Sequence, residues 1–435
     1  MLVGRMGIEH RLHARCGGHH EHGSEREHAA GGRPFAFASS PRHFERDRPF
    51  AVDDLALDLT LDFEARSVRG TATATLRRVD PEATRIHLDA VAFDLAAVTV
   101  DGKQARYDYD GKRLSVEIPR RVEHGTLAIA YAATPRKGLY FLAPDEHVPN
   151  RPRQVWTQCQ EEDARHFFPC HDKPHVKMTT EARVRVPAGF HVLSNGELVG
   201  REREGDHEVF HWRMAEPHPS YLVTIVAGEF SVIEDEATVP SEVATLDDTV
   251  RVDGRKVPLV YLVPKGREED GRRSFGRTPE MVTFFSELVG VPYPWTRYTQ
   301  VVVSDFIFGG MENTTATTMY EHILLDARAA IDVTSEDLVA HELAHQWFGD
   351  YARSVVQARL GSRRGCGASA TYGGRRHALL ARRRDLPEEA RARRRGDARS
   401  APRARGGLRT QPRSALRGAR LPARTPGDRG RALVG

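Results

Sequence analysis

Apolar and polar residues alternate along much of the first half of the chain. The clearest run places apolar side chains at every second position, at Leu55, Leu57, Leu59, Leu61 and Phe63. This period is typical of a β-strand that buries one face, because successive side chains point to opposite sides. Similar runs recur to about residue 233, and between two of them Asn195 and Gly196 are typical of a hairpin turn. We therefore predict an all-β domain over residues 45–233.

After residue 233 helical and strand patterns mix. Thr278 begins a predicted helix, and the apolar strand TQVVVSDF follows it. Thr334 and Asp337 have the spacing of a capping box, which predicts another helix that stops at Gly349. Mixed helices and strands indicate an α+β domain, which we place at residues 234–351.

Composition separates both ends of the chain from this body. Residues 1–44 are rich in His, Gly, Arg and Glu, which predicts a disordered segment. Residues 352–435 contain 23 Arg, no Lys and five acidic residues, and no Phe or Trp lies beyond Phe348. We predict that this Arg-rich tail is aberrant and disordered, without a packed core. The tail carries +18 and the whole chain +4, so the remainder carries −14, which argues against a body that binds nucleic acid.

Few features point to a compartment. The four cysteines, Cys16, Cys159, Cys170 and Cys366, are too few for a disulfide framework. No apolar run is long enough to span a bilayer, and the first residues lack the apolar core of a signal peptide. We therefore expect a cytoplasmic protein without a membrane partner, and the sequence leaves its oligomeric state open.

The segment HELAH has the spacing of a metal site. His341 and His345 lie four residues apart, so on a helix both imidazoles face one side and can reach one zinc ion. Glu342 would then lie beside the metal, where it can take a proton from water. The alternative is a pair of core histidines with ordinary partners. The apolar surroundings favour zinc, because two buried imidazoles and a buried carboxylate are costly unless they have polar partners or bind a metal.

The segment GGMEN, Gly309 to Asn313, ends 28 residues before His341. Glycines after a strand let a ligand approach the backbone closely. A carboxylate at Glu312 near zinc could bind the free ammonium of a peptide, which would restrict cleavage to N-terminal residues. Taken alone, the segment is better explained as a turn with a solvated Glu312.

Three stretches together resemble the aminopeptidase N and leukotriene hydrolase family of zinc metallopeptidases. They are TQCQEEDARHFFPCHDKP, GVPYPWTRYTQVVVSDFIFGGMENTTATT and VAHELAHQWFGD, in the order and spacing of the family. The resemblance covers residues 45–351. It implies a multidomain protein, with a saddle-shaped β-sandwich domain followed by a truncated thermolysin-like α+β catalytic domain. It also implies peptide substrates and one zinc ion per chain in the intact family.

The resemblance assigns roles to residues that match the family motifs. His341 and His345 resemble the zinc ligands, and Glu342 resembles the general base. Glu312 resembles the anchor of the substrate amine. Other residues resemble the substrate-binding positions, namely Gly309, Gly310, Met311, Asn313, Gln158 and Gln160.

The resemblance ends after residue 351. The family's third zinc ligand is a Glu 19 residues after the second His, where this chain has Arg364. A cation repels zinc and cannot ligate it. The family's oxyanion-stabilising Tyr has no counterpart after Tyr372. We hypothesise that the reading frame shifts just after codon 350, and we expect little or no peptidase activity from the chain as written.

Three alternatives remain open. A leukotriene-hydrolase-like enzyme with both epoxide hydrolase and aminopeptidase activity fits the Q-C-Q form at Gln158 and Gln160. A non-enzymatic product could bind nucleic acid through its Arg-rich tail, although we expect no specific nucleic-acid partner. The β domain could also persist alone as a binding module.

Overall fold

The computed structural model describes residues 46–240, 242–244, 249–251 and 254–351. The predicted N-terminal segment, the Arg-rich tail and Arg364 lie outside the described residues.

The first half of the chain forms strands whose alternating residues are buried, as predicted. The strands are β1 (Phe50–Asp62), β2 (Ser67–Arg78), β3 (Arg85–Asp89), β4 (Phe93–Val100), β5 (Lys103–Gln104), β6 (Tyr107–Tyr109), β7 (Arg113–Glu117), β8 (His124–Ala133), β9 (Gly138–Leu142), β10 (Gln154–Gln158), β11 (Lys177–Pro187), β12 (His191–Ser194), β13 (Glu197–Glu204), β14 (His207–Pro219), β15 (Ile225–Gly228) and β16 (Phe230–Thr238).

Eight of these strands form one sheet with the order β13-β14-β11-β1-β2-β8-β4-β5. β1 pairs in parallel with β11 and antiparallel with β2. Leu57 lies opposite Ala72 and Leu59 opposite Gly70, and the side chains of Leu57, Leu59 and Ala72 face the core. A four-stranded sheet (β12-β15-β10-β9) and a three-stranded sheet (β3-β7-β6) share that core. The sheets therefore form one sandwich around a continuous apolar interior.

The hairpin prediction at Asn195 and Gly196 is wrong. β12 lies in the four-stranded sheet and β13 in the eight-stranded sheet, so the dipeptide carries the chain from one sheet to the other. Gly196 has φ 77°, and a Cβ there would lie 2.0 Å from the Arg213 carbonyl oxygen. The backbone chemistry that favours a hairpin turn thus serves a crossover.

The second half of the chain forms another core. Its strands are β17 (Glu242–Ala244), β18 (Thr249–Arg251), β19 (Lys256–Pro264), β20 (Tyr298–Val303), β21 (Gly310–Met311) and β22 (Ala316–Tyr320), and its α-helices are α1 (Glu268–Phe275), α2 (Thr278–Val289) and α3 (Glu336–His345). The main sheet has the order β16-β19-β20-β22-β21, and β17 pairs with β18. β20 pairs in parallel with both β19 and β22. The predicted helix at Thr278 is α2, and it ends before Gly290, which has φ 73°.

This arrangement confirms the fold class, a β-sandwich followed by a partial α+β domain. The predicted limit at residue 233 falls inside β16, a strand of the second sheet, and the domain limits stay predictions. In the described part of the chain, no helix combines the length and apolar character that a membrane crossing requires.

The capping-box prediction is wrong in detail. Ser335, not Thr334, is the N-cap of α3, and its hydroxyl donates to the Ser274 carbonyl, 2.6 Å away. The Thr334 hydroxyl accepts instead from the Glu336 backbone N–H at 3.2 Å. α3 ends at His345 and a wider turn continues to Tyr351. That turn contains non-helical backbone at Phe348 and at Gly349, whose φ is 132°, so regular helix stops before the predicted Gly349.

Candidate metal and peptide site

Two imidazoles meet on one side of α3. The Nε2 atoms of His341 and His345 lie 3.3 Å apart, and their ring planes cross at 80°. The Nδ1 atom of His345 lies 3.0 Å from the Phe348 carbonyl oxygen. An N–H donated there leaves the Nε2 lone pair of His345 available to a metal. Partial burial, and then the neighbouring His345, lower the pKa of His341, which favours its neutral form.

This geometry fits a zinc ion. Two Zn–N bonds of about 2.0–2.1 Å at a tetrahedral angle separate the two nitrogens by about 3.3–3.4 Å. The observed separation of 3.3 Å matches that value. Over the described ranges, no group of three or more His, Cys, Asp or Glu side chains is arranged to hold a metal ion. The described residues therefore offer two candidate ligands for such a site, His341 and His345.

Glu342 lies between these two histidines in the sequence, and its side chain points into the protein. Its side chain is 2% exposed, and burial, followed by the charge of Glu312, raises its pKa well above the ordinary value. Gly310 makes this position possible. A Cβ on Gly310 would lie 2.6 Å from the Glu342 carboxyl carbon. Because glycine has no side chain, the carboxyl of Glu342 can occupy the space that a Cβ at position 310 would need.

The GGMEN segment forms the edge of the second sheet. Gly310 and Met311 constitute β21, which pairs antiparallel with β22 and is the last strand of that sheet. Gly309 lies close to α3, because a Cβ there would be 3.2 Å from a methyl carbon of Leu338. Asn313 is buried, and its Nδ2 donates to the Thr318 hydroxyl at 3.2 Å.

Three carboxyl groups interact electrostatically in this region. Asp350 is buried, and burial, followed by the charge of Glu312, raises its pKa well above the ordinary value. Glu342 adds to that effect. Mutual repulsion of this kind favours protonation or the arrival of a cation. The Lys177 ammonium, from β11, donates to the Asp350 backbone carbonyl at 2.9 Å.

The two glutamines differ in their surroundings. Gln158 ends β10 and is 5% exposed, and its side-chain oxygen accepts no hydrogen bond from the part of the chain that the structure describes. Gln160 is exposed. Their predicted place beside the substrate stays a prediction.

Comparison with known proteins gives the family. Residues 40–222 match the Peptidase M1 N-terminal domain, and residues 273–355 match the Peptidase family M1 domain. The chain belongs to peptidase family M1. This M1 chain is 31% identical over 313 residues to a leukotriene A-4 hydrolase homolog of Botryotinia fuckeliana. That alignment covers 67% of this chain and 44% of the relative. It is 30% identical to aminopeptidase B of Rattus norvegicus, over 74% of the chain and 49% of the relative.

Solved M1 structures share the fold. Native yeast LTA4 hydrolase superimposes with a TM-score of 0.56 at 24% identity, over 69% of this chain and 44% of the other. An M1 zinc metallopeptidase from Deinococcus radiodurans gives 0.52 at 24% identity, over 70% and 65% of the two chains. The M1 chain described here spans about half the length of the curated relatives that it matches.

Sequence reasoning missed two buried amides of this M1 chain. Gln346, which is 0% exposed, contacts the backbone on both sides of the Glu312 loop. Asn195 reaches the same loop from the sandwich. The position of Gln346 directly after HELAH was the one available signal. Asn195 carried no such signal, because its dipeptide is typical of a turn.

Proposed function

We propose that this chain carries the zinc-binding and amine-binding part of an M1 aminopeptidase. The observation that supports the proposal most directly is the 3.3 Å separation of the His341 and His345 Nε2 atoms, which suits two zinc ligands. When bound, zinc polarises a carbonyl group and lowers the pKa of water. Zinc relatives within the family, and relatives named aminopeptidases, support the same assignment.

In this proposal Glu342 handles the proton. A general base works best when its pKa lies near the working pH, and burial moves the pKa of Glu342 in that direction. Glu342 would take a proton from the attacking water and pass it to the leaving amine. Its contact with Gly310 would hold the carboxyl next to β21, the strand that we propose binds the substrate.

Glu312 and β21 would hold the substrate. The carboxylate of Glu312 would pair with the α-ammonium, and such charge-assisted bonds are roughly twice as strong as neutral ones. β21 is an edge strand, so an extended peptide can add to it through the backbone of Gly310 and Met311. Gly309 and Asn313 would shape that edge. Gln158 would offer its buried side-chain oxygen to the substrate's N-terminus, with Gln160 nearby.

We further propose that peptidase activity of this chain is weak. Arg364 stands where the family has its third zinc ligand, and two imidazoles alone hold zinc poorly. The second candidate activity is epoxide hydrolysis, which the name of the Botryotinia fuckeliana relative suggests.

Zinc titration of the 435-residue chain tests the metal site. We expect His341→Ala and His345→Ala each to weaken zinc binding by more than the roughly 10–100-fold that loss of an outer-shell partner costs. His322→Ala, at an exposed histidine, is the matched control and should bind zinc as the wild type does. Equal zinc affinity in all four proteins would refute the site.

Hydrolysis of L-leucine p-nitroanilide tests the activity separately. We expect little turnover by the wild-type chain with added zinc. Strong zinc-dependent turnover that Glu342→Gln abolishes would contradict weak activity and support the roles of the residues. Strong turnover that Glu342→Gln leaves intact would remove Glu342 as the base.

A further inference from the structure

The backbone between Glu312 and Thr315 is held from the helix side by one buried amide. The Gln346 Nε2 atom donates to the Glu312 carbonyl oxygen at 3.3 Å, and its Oε1 atom accepts from the Thr315 N–H at 2.9 Å. Gln346 is 0% exposed and directly follows His345. The amide therefore links the segment that carries Glu312 to the helix that carries both imidazoles.

A second amide holds the same backbone from the sandwich. The Asn195 Nδ2 atom donates to the carbonyl oxygens of Thr314 and Leu222, both at 2.8 Å. Its Oδ1 atom accepts from the Thr224 N–H at 2.8 Å. An asparagine amide offers two donors and one carbonyl oxygen, so all three groups are engaged. Next to it, the Gly196 N–H donates to the Thr315 hydroxyl at 2.7 Å.

The held backbone has a conformation that it would not adopt alone. Thr315 has φ 65°, which is unfavourable for a β-branched residue. Such a conformation persists only where the surroundings over-determine it. The bonds from Gln346, Asn195 and Gly196 provide that constraint. Loss of one of them would let the segment relax and shift Glu312 at its start.

We propose that Asn195 and Gln346 are positioning residues that fix the Glu312 carboxylate relative to the two imidazoles. The β-sandwich would thus take part in recognising the N-terminal amine of the substrate. This inference rests on the amine-binding role proposed for Glu312. A displacement of about 1 Å at such a group is enough to impair function.

A pair of probes isolates the amine contact. L-leucinamide carries the α-ammonium, and 4-methylpentanamide is the same molecule without it. Binding of each to the zinc-free 435-residue chain at pH 7, followed by NMR, measures a preference that needs no catalysis. From the strength of a charge-assisted hydrogen bond we expect the wild type to prefer L-leucinamide about 10–100-fold, and Glu312→Gln to lose this preference.

The variants test the two amides. Gln346→Met keeps the side-chain length and removes both bonds, and Asn195→Asp removes both donors while it retains the acceptor. We expect each to reduce the preference to within about threefold, because Glu312 is no longer held against the probe's ammonium. Gln300→Met is the matched control. It removes another buried amide, whose Nε2 donates to the Thr278 hydroxyl at 2.9 Å, and should keep the preference.

The outcomes separate the two proposals. If the wild type prefers L-leucinamide and the folded variants keep that preference, the positioning role is overturned and Glu312 retains its role. If the wild type shows no preference, the amine-binding role of Glu312 fails, and the inference fails with it. Circular dichroism checks folding. Should neither of these variants fold, Asn195→Ala decides, because it removes all three bonds of the amide without burying a charge. We expect Asn195→Ala also to lose the preference, and an intact preference there would overturn the inference.

Discussion

The main sheets of the two regions of the molecule, residues 46–240 and 254–351, bury their side chains in different patterns. In the eight-stranded sheet, β1 and β2 bury every second residue and leave polar residues outside. In the second sheet, all six residues of β20 and four of the five in β22 are buried, and they include Thr299, Gln300 and Thr317. A parallel sheet covered on both faces loses the alternation that reveals an antiparallel one. Alternating burial thus marks these strands of the sandwich, and continuous burial marks the strands beside the candidate site.

The largest effect should come from removing apolar volume in the sandwich. Leu59 is 0% exposed at the centre of β1. We expect Leu59→Ala to lower the free energy of unfolding by about 2–5 kcal/mol, through lost burial and the cavity that remains. Urea unfolding measures the change. Asp58→Ala, at the exposed neighbouring position, should change it by less than about 0.5 kcal/mol. Equal losses in the two variants would contradict the one-sided burial of β1.

A buried histidine of the sandwich, His218, makes stability depend on pH. Burial lowers the pKa of His218 from 6.5 to about 4, with a smaller contribution from Lys177, while a backbone contact to Glu216 opposes the shift. Between these pH values the unfolded chain binds a proton that the folded chain does not. The free energy of unfolding should therefore fall as pH decreases from 6.5 to about 4.

The size of this pH effect follows from the shift. A difference of roughly 2.5 pKa units corresponds to about 3 kcal/mol, because each unit is worth about 1.36 kcal/mol. Denaturant unfolding at several pH values should show a shallower decline for His218→Gln than for the wild type. The difference between the two proteins removes the contribution of carboxylates that titrate in the same range. Parallel profiles would rule out His218 as the source.

A side chain added at Gly310, in the candidate site, should lower the free energy of unfolding by a smaller amount. Gly310→Ala would force a Cβ to within 2.6 Å of the Glu342 carboxyl. We expect a loss of about 1–3 kcal/mol in the free energy of unfolding, as for other overpacked interiors. The double variant with Glu342→Ala should recover most of that loss, because the clashing atoms are gone. Additive losses would show that Gly310 is needed for another reason. Gly309→Ala, whose Cβ would meet Leu338 at 3.2 Å, should cost less.

The smallest effect concerns a single contact between the two regions. The Trp156 indole donates to the Ser304 carbonyl oxygen at 3.1 Å and stacks on Tyr140. Trp156→Phe keeps an aromatic ring and removes the donor, so we expect a loss of about 1 kcal/mol in the free energy of unfolding. A change above about 3 kcal/mol would mean that ring size matters more than the hydrogen bond. Thermal unfolding of the wild type and of Trp156→Phe, measured side by side, gives this difference.

Much of the fold was predictable from the sequence. Alternation at Leu55, Leu57 and Leu59 predicts β1, because one-sided burial imposes a period of two. The spacing of His341 and His345 predicts that their rings share a helix face, since the period of a helix is local. These features depend on residues a few positions apart, so a linear sequence displays them directly.

Only the tertiary structure decided how the site is held together. Asn195 bonds to Thr314 across 119 positions of sequence, and Gly310 makes room for Glu342 from 32 positions away. A dipeptide typical of a hairpin became a crossover, because the partners of its strands lie in different sheets. Hydrogen bonds and steric fit between distant segments leave no periodic trace in the sequence, since each depends on how the whole chain packs.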